Sequence, residues 1–145
     1  MSVVTRSVLL PYTAAEVYTL VSDVARYHEF LPFCIASEVM AMQGQEMRAR
    51  IAFSWMGLSQ SLVTHNRLTP DERIDIEFVS GPFDFLHGQW SFQALSAWAC
   101  KAHFCLDFQF QVRFLRMAAT PAINQAATQT VGAFHHRAEQ IYGKR

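Results

Sequence analysis

The sequence predicts an α+β domain: a curved antiparallel sheet of about seven strands wrapped on one long C-terminal helix, with two short helices after the first strand. Three observations carry this prediction. Apolar and polar residues alternate in "EMRARIAFS", in "RIDIEFV" and over Cys100–Val112, the period-two pattern of strands with one wet face. From Ile123 onward the apolar spacing changes to three and four, which is one stripe on a helix. Between the first strand and the alternating runs lies "YTAAEVYTLVSDVARYHEFLP", which carries helix-start chemistry.

In chain order, Ser2–Leu10 is rich in Val and Leu and reads as a strand ended by Pro11. Thr13 is an N-cap, and Glu16 three residues later completes capping-box spacing. Val17, Leu20, Val21 and Val24 then share a helical face, and a second short turn holds Tyr27, Phe30 and Leu31 before Pro32 stops it. In the strands, Met47, Ala49, Ile51 and Phe53 face one way, as do Ile74, Ile76 and Phe78. Cys100, Ala102, Phe104, Leu106, Phe108, Phe110 and Val112 oppose Lys101, His103, Cys105, Asp107, Gln109 and Gln111. A strand of that length spans roughly 40 Å and has to twist and curl. Thr120 and Pro121 suit the start of the final helix, with Phe114–Ala119 an earlier helical piece kinked against it. Its stripe is Ile123, Ala127, Val131, Phe134, Ala138 and Ile141.

The stretch "GPFDFLHGQW", Gly81–Trp90, sets aromatic rings beside backbone breakers. Phe83 and Phe85 occupy odd positions, Trp90 and Phe92 even ones, so one regular strand cannot aim all four at one face. A bulge at His87–Gly88 would change the phase and bend the strand. A helix about 10 Å wide cannot cover the whole concave face of such a sheet. The remaining space is filled either by large side chains, of which twelve Phe supply many, or by a ligand.

Composition narrows the function classes. The 145 residues fit one domain, 1–145, with zero formal net charge and scattered cations, so no broad field attracts nucleic acid and no DNA partner is expected. Cys34, Cys100 and Cys105 are odd in number, without a Cys-x-x-Cys, and read as reduced thiols. No leader-like or membrane-spanning stretch is evident, which predicts a cytoplasmic protein, at most peripheral at a membrane. No catalytic or metal constellation emerges: adjacent His135 and His136 point about 100° apart on a helix, and neither a nucleophile elbow nor a phosphate loop is present. His87, in the expected bend, could reach a ligand head group. The apolar tip "FSWMGLS" (Phe53–Ser59) touches a membrane or partner, or folds back on its own sheet. "YHEFLPFC" either gates a cavity or clamps the small helices to the sheet.

The segments "LLPYTAAEVYTLVSDVARYHEFLPFC" and "SGPFDFLHGQWSF", with the order of elements, resemble the coenzyme Q-binding/RatA-like group of the START-like superfamily, whose fold is the helix-grip. The resemblance covers nearly the whole chain; it departs at His28, where the group usually has Pro, which predicts a looser turn. It implies a hydrophobic cavity between sheet and C-terminal helix, and a non-enzymatic protein that binds an apolar ligand, with ubiquinone as the expected occupant and a role in respiration. The group's alternative role is binding the large ribosomal subunit and blocking subunit association. Some START-like relatives are cyclases, which would need a titratable group inside the cavity. With the cavity implied, the expected wall is Phe53, Phe78, Phe83, Trp90, Phe92, Phe104, Leu106 and Phe108 from the sheet and Ile123, Val131 and Phe134 from the helix. Phe30 and Phe33 are expected at its gate.

Overall fold

The computed structural model describes residues 2–55 and 58–145. The elements run β1 (Ser2–Leu10), α1 (Ala14–Ser22), a 3-10 helix (Val24–Glu29), β2 (Cys34–Gln43), β3 (Glu46–Trp55), β4 (Leu58–Thr69), β5 (Arg73–Ser80), β6 (Phe83–Ser96), β7 (Ala99–Phe110) and α2 (Arg113–Tyr142). Among the described residues seven strands form one antiparallel sheet, ordered β1-β7-β6-β5-β4-β3-β2. The two helices between β1 and β2 carry the chain from one edge of the sheet to the other, and every later strand pairs with its predecessor. Met56 and Gly57, central to the expected apolar tip, lie outside the described residues.

Local chemistry explains the boundaries. Thr13 and Glu16 form the full capping box: the Glu16 N–H donates to Thr13 Oγ1 at 3.1 Å, and the Thr13 N–H donates to Glu16 Oε1 at 2.9 Å. Val17, Leu20, Val21 and Val24 are buried, together with Tyr18. Where the related group has Pro, His28 is not loose. Its backbone N–H donates to Ser37 Oγ at 3.1 Å and its Nδ1 lies 3.0 Å from the same oxygen, tying the 3-10 helix to β2.

The strands point as their alternation requires: Met47, Ala49, Ile74, Cys100, Ala102 and Phe108 are buried. The phase change in β6 falls earlier than expected. Phe83 pairs with Phe110 while Phe85 pairs with Gln109, so the extra residue is Asp84, not one at His87–Gly88. The carboxylate of Asp84 explains the position: it turns outward and accepts from Gln109 Nε2 at 2.9 Å and Arg116 Nη2 at 3.0 Å. After the bulge Leu86, Gly88, Trp90 and Phe92 face inward. Gly88 serves close packing instead: a Cβ there would stand 3.2 Å from Leu106 Cδ1 and 3.4 Å from Ile76 Cβ.

The final helix also differs from expectation. It is continuous over 30 residues, about 45 Å, and begins at Arg113 with Val112 as cap, so Val112 is not part of β7. Pro121 sits inside it on the exposed side, where the turn that loses its hydrogen bond faces solvent. Thr120 Oγ1 donates to the Arg116 carbonyl and Asn124 Nδ2 to the Thr120 carbonyl, so neighbouring side chains take up carbonyls around the proline. Ile141 is half exposed; Tyr142 turns inward instead and donates to the Glu16 carbonyl at 3.1 Å.

Candidate ligand cavity

The inward faces of β3 to β7 and the underside of α2 do not meet everywhere. An inner chamber of about 230 Å³ remains, walled by Met47, Ile51 and Phe53 of β3, Leu62, Thr64, Asn66 and Leu68 of β4, Trp90 of β6, Phe104 and Leu106 of β7, and Ile123 and Phe134 of α2. A second hollow of about 320 Å³ lies beside it, bounded by Pro32, Pro82, Phe110 and the α2 residues Ala122, Gln125 and Gln129. Phe33, Phe53, Ile123 and Ala126 line both, so these four side chains form the partition.

Eight of the thirteen residues expected at the cavity lie on its wall: Phe33, Phe53, Phe83, Trp90, Phe104, Leu106, Ile123 and Phe134. The other five are placed elsewhere, for identifiable reasons. Phe92 is covered by Tyr18 of α1, edge to face at 5.9 Å. Phe78 and Phe108 each pack against Phe83, both at 6.2 Å, and these rings fill that end of the sheet. Val131 sits one position around the helix from the side facing the chamber, and Thr130 takes the wall position. Phe30 packs against Phe134 at 5.2 Å and Tyr27 at 6.1 Å, with the Arg137 guanidinium 5.1 Å above its ring. Arg137 also reaches Glu29 at 2.9 Å, so Phe30 belongs to a clamp holding the 3-10 helix against α2. His87 points to the outer face, where its Nδ1 lies 2.7 Å from Glu77 Oε1, well away from the chamber.

Sequence reasoning missed the contribution of β4. Thr64 and Asn66 are 4% and 5% exposed and face the chamber. Thr130 is held by its own helix, donating to the Ala126 carbonyl at 2.7 Å. The Tyr27 hydroxyl donates to the Val21 carbonyl, and burial pushes its pKa well above the usual range. Asn66 Oδ1 has no hydrogen-bond partner in the protein. Among the described residues no Asp, Glu, His, Lys, Arg or Cys lines either hollow. The arrangement can bury an uncharged apolar molecule, with amide and hydroxyl groups for orientation.

A curved antiparallel sheet gripping a long helix over an apolar hollow defines a START-like protein, and the chain belongs to the polyketide cyclase/dehydrase and lipid transport family, whose pattern matches residues 10–135. It is 43% identical over 138 residues to the "Ribosome association toxin RatA" of Pseudomonas aeruginosa, covering 95% of this chain and 96% of that one. It is 26% identical over 142 residues to the "Coenzyme Q-binding protein COQ10 homolog B, mitochondrial" of Xenopus laevis, covering 95% of this chain and 58% of that one. Among solved structures, the Zhui aromatase/cyclase from Streptomyces superposes with a TM-score of 0.88 at 16% identity, covering 96% and 94% of the two chains, a likeness of fold.

Proposed function

We propose that the protein acts on ribosome association, binding the large ribosomal subunit and hindering its union with the small one. The observation that carries this reading is the 43% identity, over nearly the full length of both chains, to a protein named as a ribosome association toxin. Zero net charge means that any contact with ribosomal RNA uses local cations, and binding that falls steeply with salt would support such contact. The site of action is then the cytoplasm; no helix among the described residues is long and apolar enough to cross a membrane. The test is sedimentation of purified subunits in a sucrose gradient with and without the protein. Loss of joined ribosomes, with the protein travelling in the large-subunit fraction, is the expected result. An unchanged profile at large excess refutes the reading.

A second reading rests on the cavity: the protein binds a neutral apolar ligand, with an isoprenoid quinone as candidate. The supporting observation is the apolar wall of the inner chamber and its continuation into the outer hollow. Each buried methylene contributes about 0.8 kcal/mol, so about ten carbons give roughly 6–8 kcal/mol before the loss of ligand freedom, consistent with micromolar binding. Solvent extraction of protein purified gently from its host, followed by mass spectrometry, tests it; a stoichiometric quinone supports it, and extracts free of any apolar compound count against it. Cyclase chemistry calls for a titratable group at the reacting carbon. Among the described residues the titratable side chain in the chamber lining is Tyr27, whose hydroxyl is engaged by the Val21 carbonyl, which favours binding over turnover.

A further inference from the structure

We infer that Asn66 is a head-group anchor: its side-chain amide receives the hydroxyl of a neutral, otherwise apolar ligand whose ring occupies the inner chamber. The inference deepens the cavity reading and rests on it. Asn66 lies on β4 between Met47 and Ile76 on the flanking strands, both of them chamber residues. It is 5% exposed, and its Oδ1 is buried without a partner in the protein. An unpaired buried amide oxygen is costly, and Leu or Val at this position would remove that cost. The amide is therefore a liability in an empty apolar chamber and an asset when a donor arrives. A hydroxyl suits it in either amide orientation, because it donates to the oxygen or accepts from the nitrogen. Thr64, two residues earlier on the same face, adds a hydroxyl to this polar spot in a mostly apolar wall.

The surroundings restrict the rest of the ligand. No charged side chain lines either hollow among the described residues, so a carboxylate or phosphate would be desolvated without compensation. At about 230 Å³ the chamber is smaller than the ~300–1,000 Å³ of ordinary ligand pockets. It takes a single small ring system, and a longer tail has to cross the partition at Phe33 and Phe53 into the outer hollow. The ligand class is a hydroxylated ring with an apolar tail, which favours the reduced, dihydroxy form of a quinone over the oxidised form.

The experiment compares 1-naphthol with 1-methylnaphthalene, which differ by a hydroxyl for a methyl, and includes 1-naphthoate as a charged control. Affinities are measured by calorimetry on the wild-type protein and on Asn66→Leu, with Asn66→Val as a second variant should the first fold poorly. The wild type is expected to prefer the naphthol about tenfold and to reject the naphthoate. Asn66→Leu should keep its affinity for methylnaphthalene and lose the preference. Methylnaphthalene binding with no naphthol preference in the wild type, as when internal water already satisfies Asn66, overturns the anchor and leaves the cavity reading standing. A preference that survives in Asn66→Leu also overturns it. Failure of the wild type to bind either neutral probe sinks the cavity reading itself.

Discussion

The guanidinium of Arg145 grips the carboxylate of Glu16 with two hydrogen bonds, at 2.7 and 2.9 Å, so the last residue of the chain is fastened to the first turn of α1. Those bonds, followed by the Thr13 N–H, hold the Glu16 carboxyl below its ordinary pKa. A carboxylate depressed in the folded state contributes stability above its unfolded pKa of about 4.3, and that contribution is lost as pH falls through the lower folded value. Arg145→Ala should therefore lower the melting temperature near neutral pH. The difference from wild type should shrink below about pH 4.3 and vanish in stronger acid. A melting difference that is constant from pH 7 to the acid end contradicts this account. Thr13→Ala removes the other half of the box and should cost about 1 kcal/mol at neutral pH.

The clamp of Phe30, Phe134 and Arg137 predicts local, not global, effects. Arg137→Ala removes the cation above Phe30 and the bond to Glu29. It should cost about 1 kcal/mol and speed amide hydrogen exchange over residues 24–33 more than in α1. Equal acceleration everywhere would mean that the clamp has no local role.

At the partition, Ala126 lines both hollows and offers the least side-chain bulk. Ala126→Phe should exclude 1-methylnaphthalene from the inner chamber while moving stability by no more than about 1–3 kcal/mol. Undiminished probe binding, measured by calorimetry, would place the ligand somewhere other than this chamber.

Gly81 has φ +146°, and an added Cβ would lie 3.1 Å from the Ser61 carbonyl oxygen and 3.2 Å from Leu62 Cδ1. Gly81→Ala therefore combines strain with a backbone contact and should cost about 1–3 kcal/mol, read as a lower midpoint in urea. A midpoint within error of wild type would show that the turn can relax.

Thiol reactivity should separate the cysteines. Cys100 is fully buried and burial pushes its thiol up to about 11; Cys34 is buried and its thiol is raised as well. Cys105 is half-buried on the outward side of β7. A thiol-specific reagent should modify Cys105 first, and all three only in denaturant. Rapid labelling of Cys100 in the native protein would contradict its burial.

The legible parts of the fold were those where polarity and direction agree. β3, β5, β7 and the α2 stripe each separate apolar from polar residues, and their facing follows. β4 does not: Thr64 and Asn66 point inward while Val63 points out, so its composition hides its phase and the polar spot of the cavity with it. In β6 Gly88 suggested the bulge, but the outward hydrogen bonds of Asp84 fix it four residues earlier, and those need Arg116 from a distant helix. Pro121 suggested a helix start, yet on the solvent side α2 runs through it. The five misplaced wall residues reflect contacts across elements, such as Tyr18 over Phe92, that no local pattern encodes.

Helix α2 is secured unevenly. On the β1 side Arg6 bonds to Thr128 and to the Asn124 carbonyl, at 3.0 and 3.2 Å, near the middle of the helix. At its beginning Arg116 bonds to the Phe110 carbonyl and Asp84, and at its end Tyr12 bonds to the Gly143 carbonyl. Toward β2 and β3, among the described residues, the middle of the helix faces the partition and the outer hollow. The helix thus behaves as a beam bolted along one side and at both ends. For the ligand proposed above, swinging this helix outward would break those bonds, so the Pro32–Phe33 side is the expected way in. Exchange of such a ligand would then be governed by a short loop and two aromatic rings, not by movement of the large frame around them.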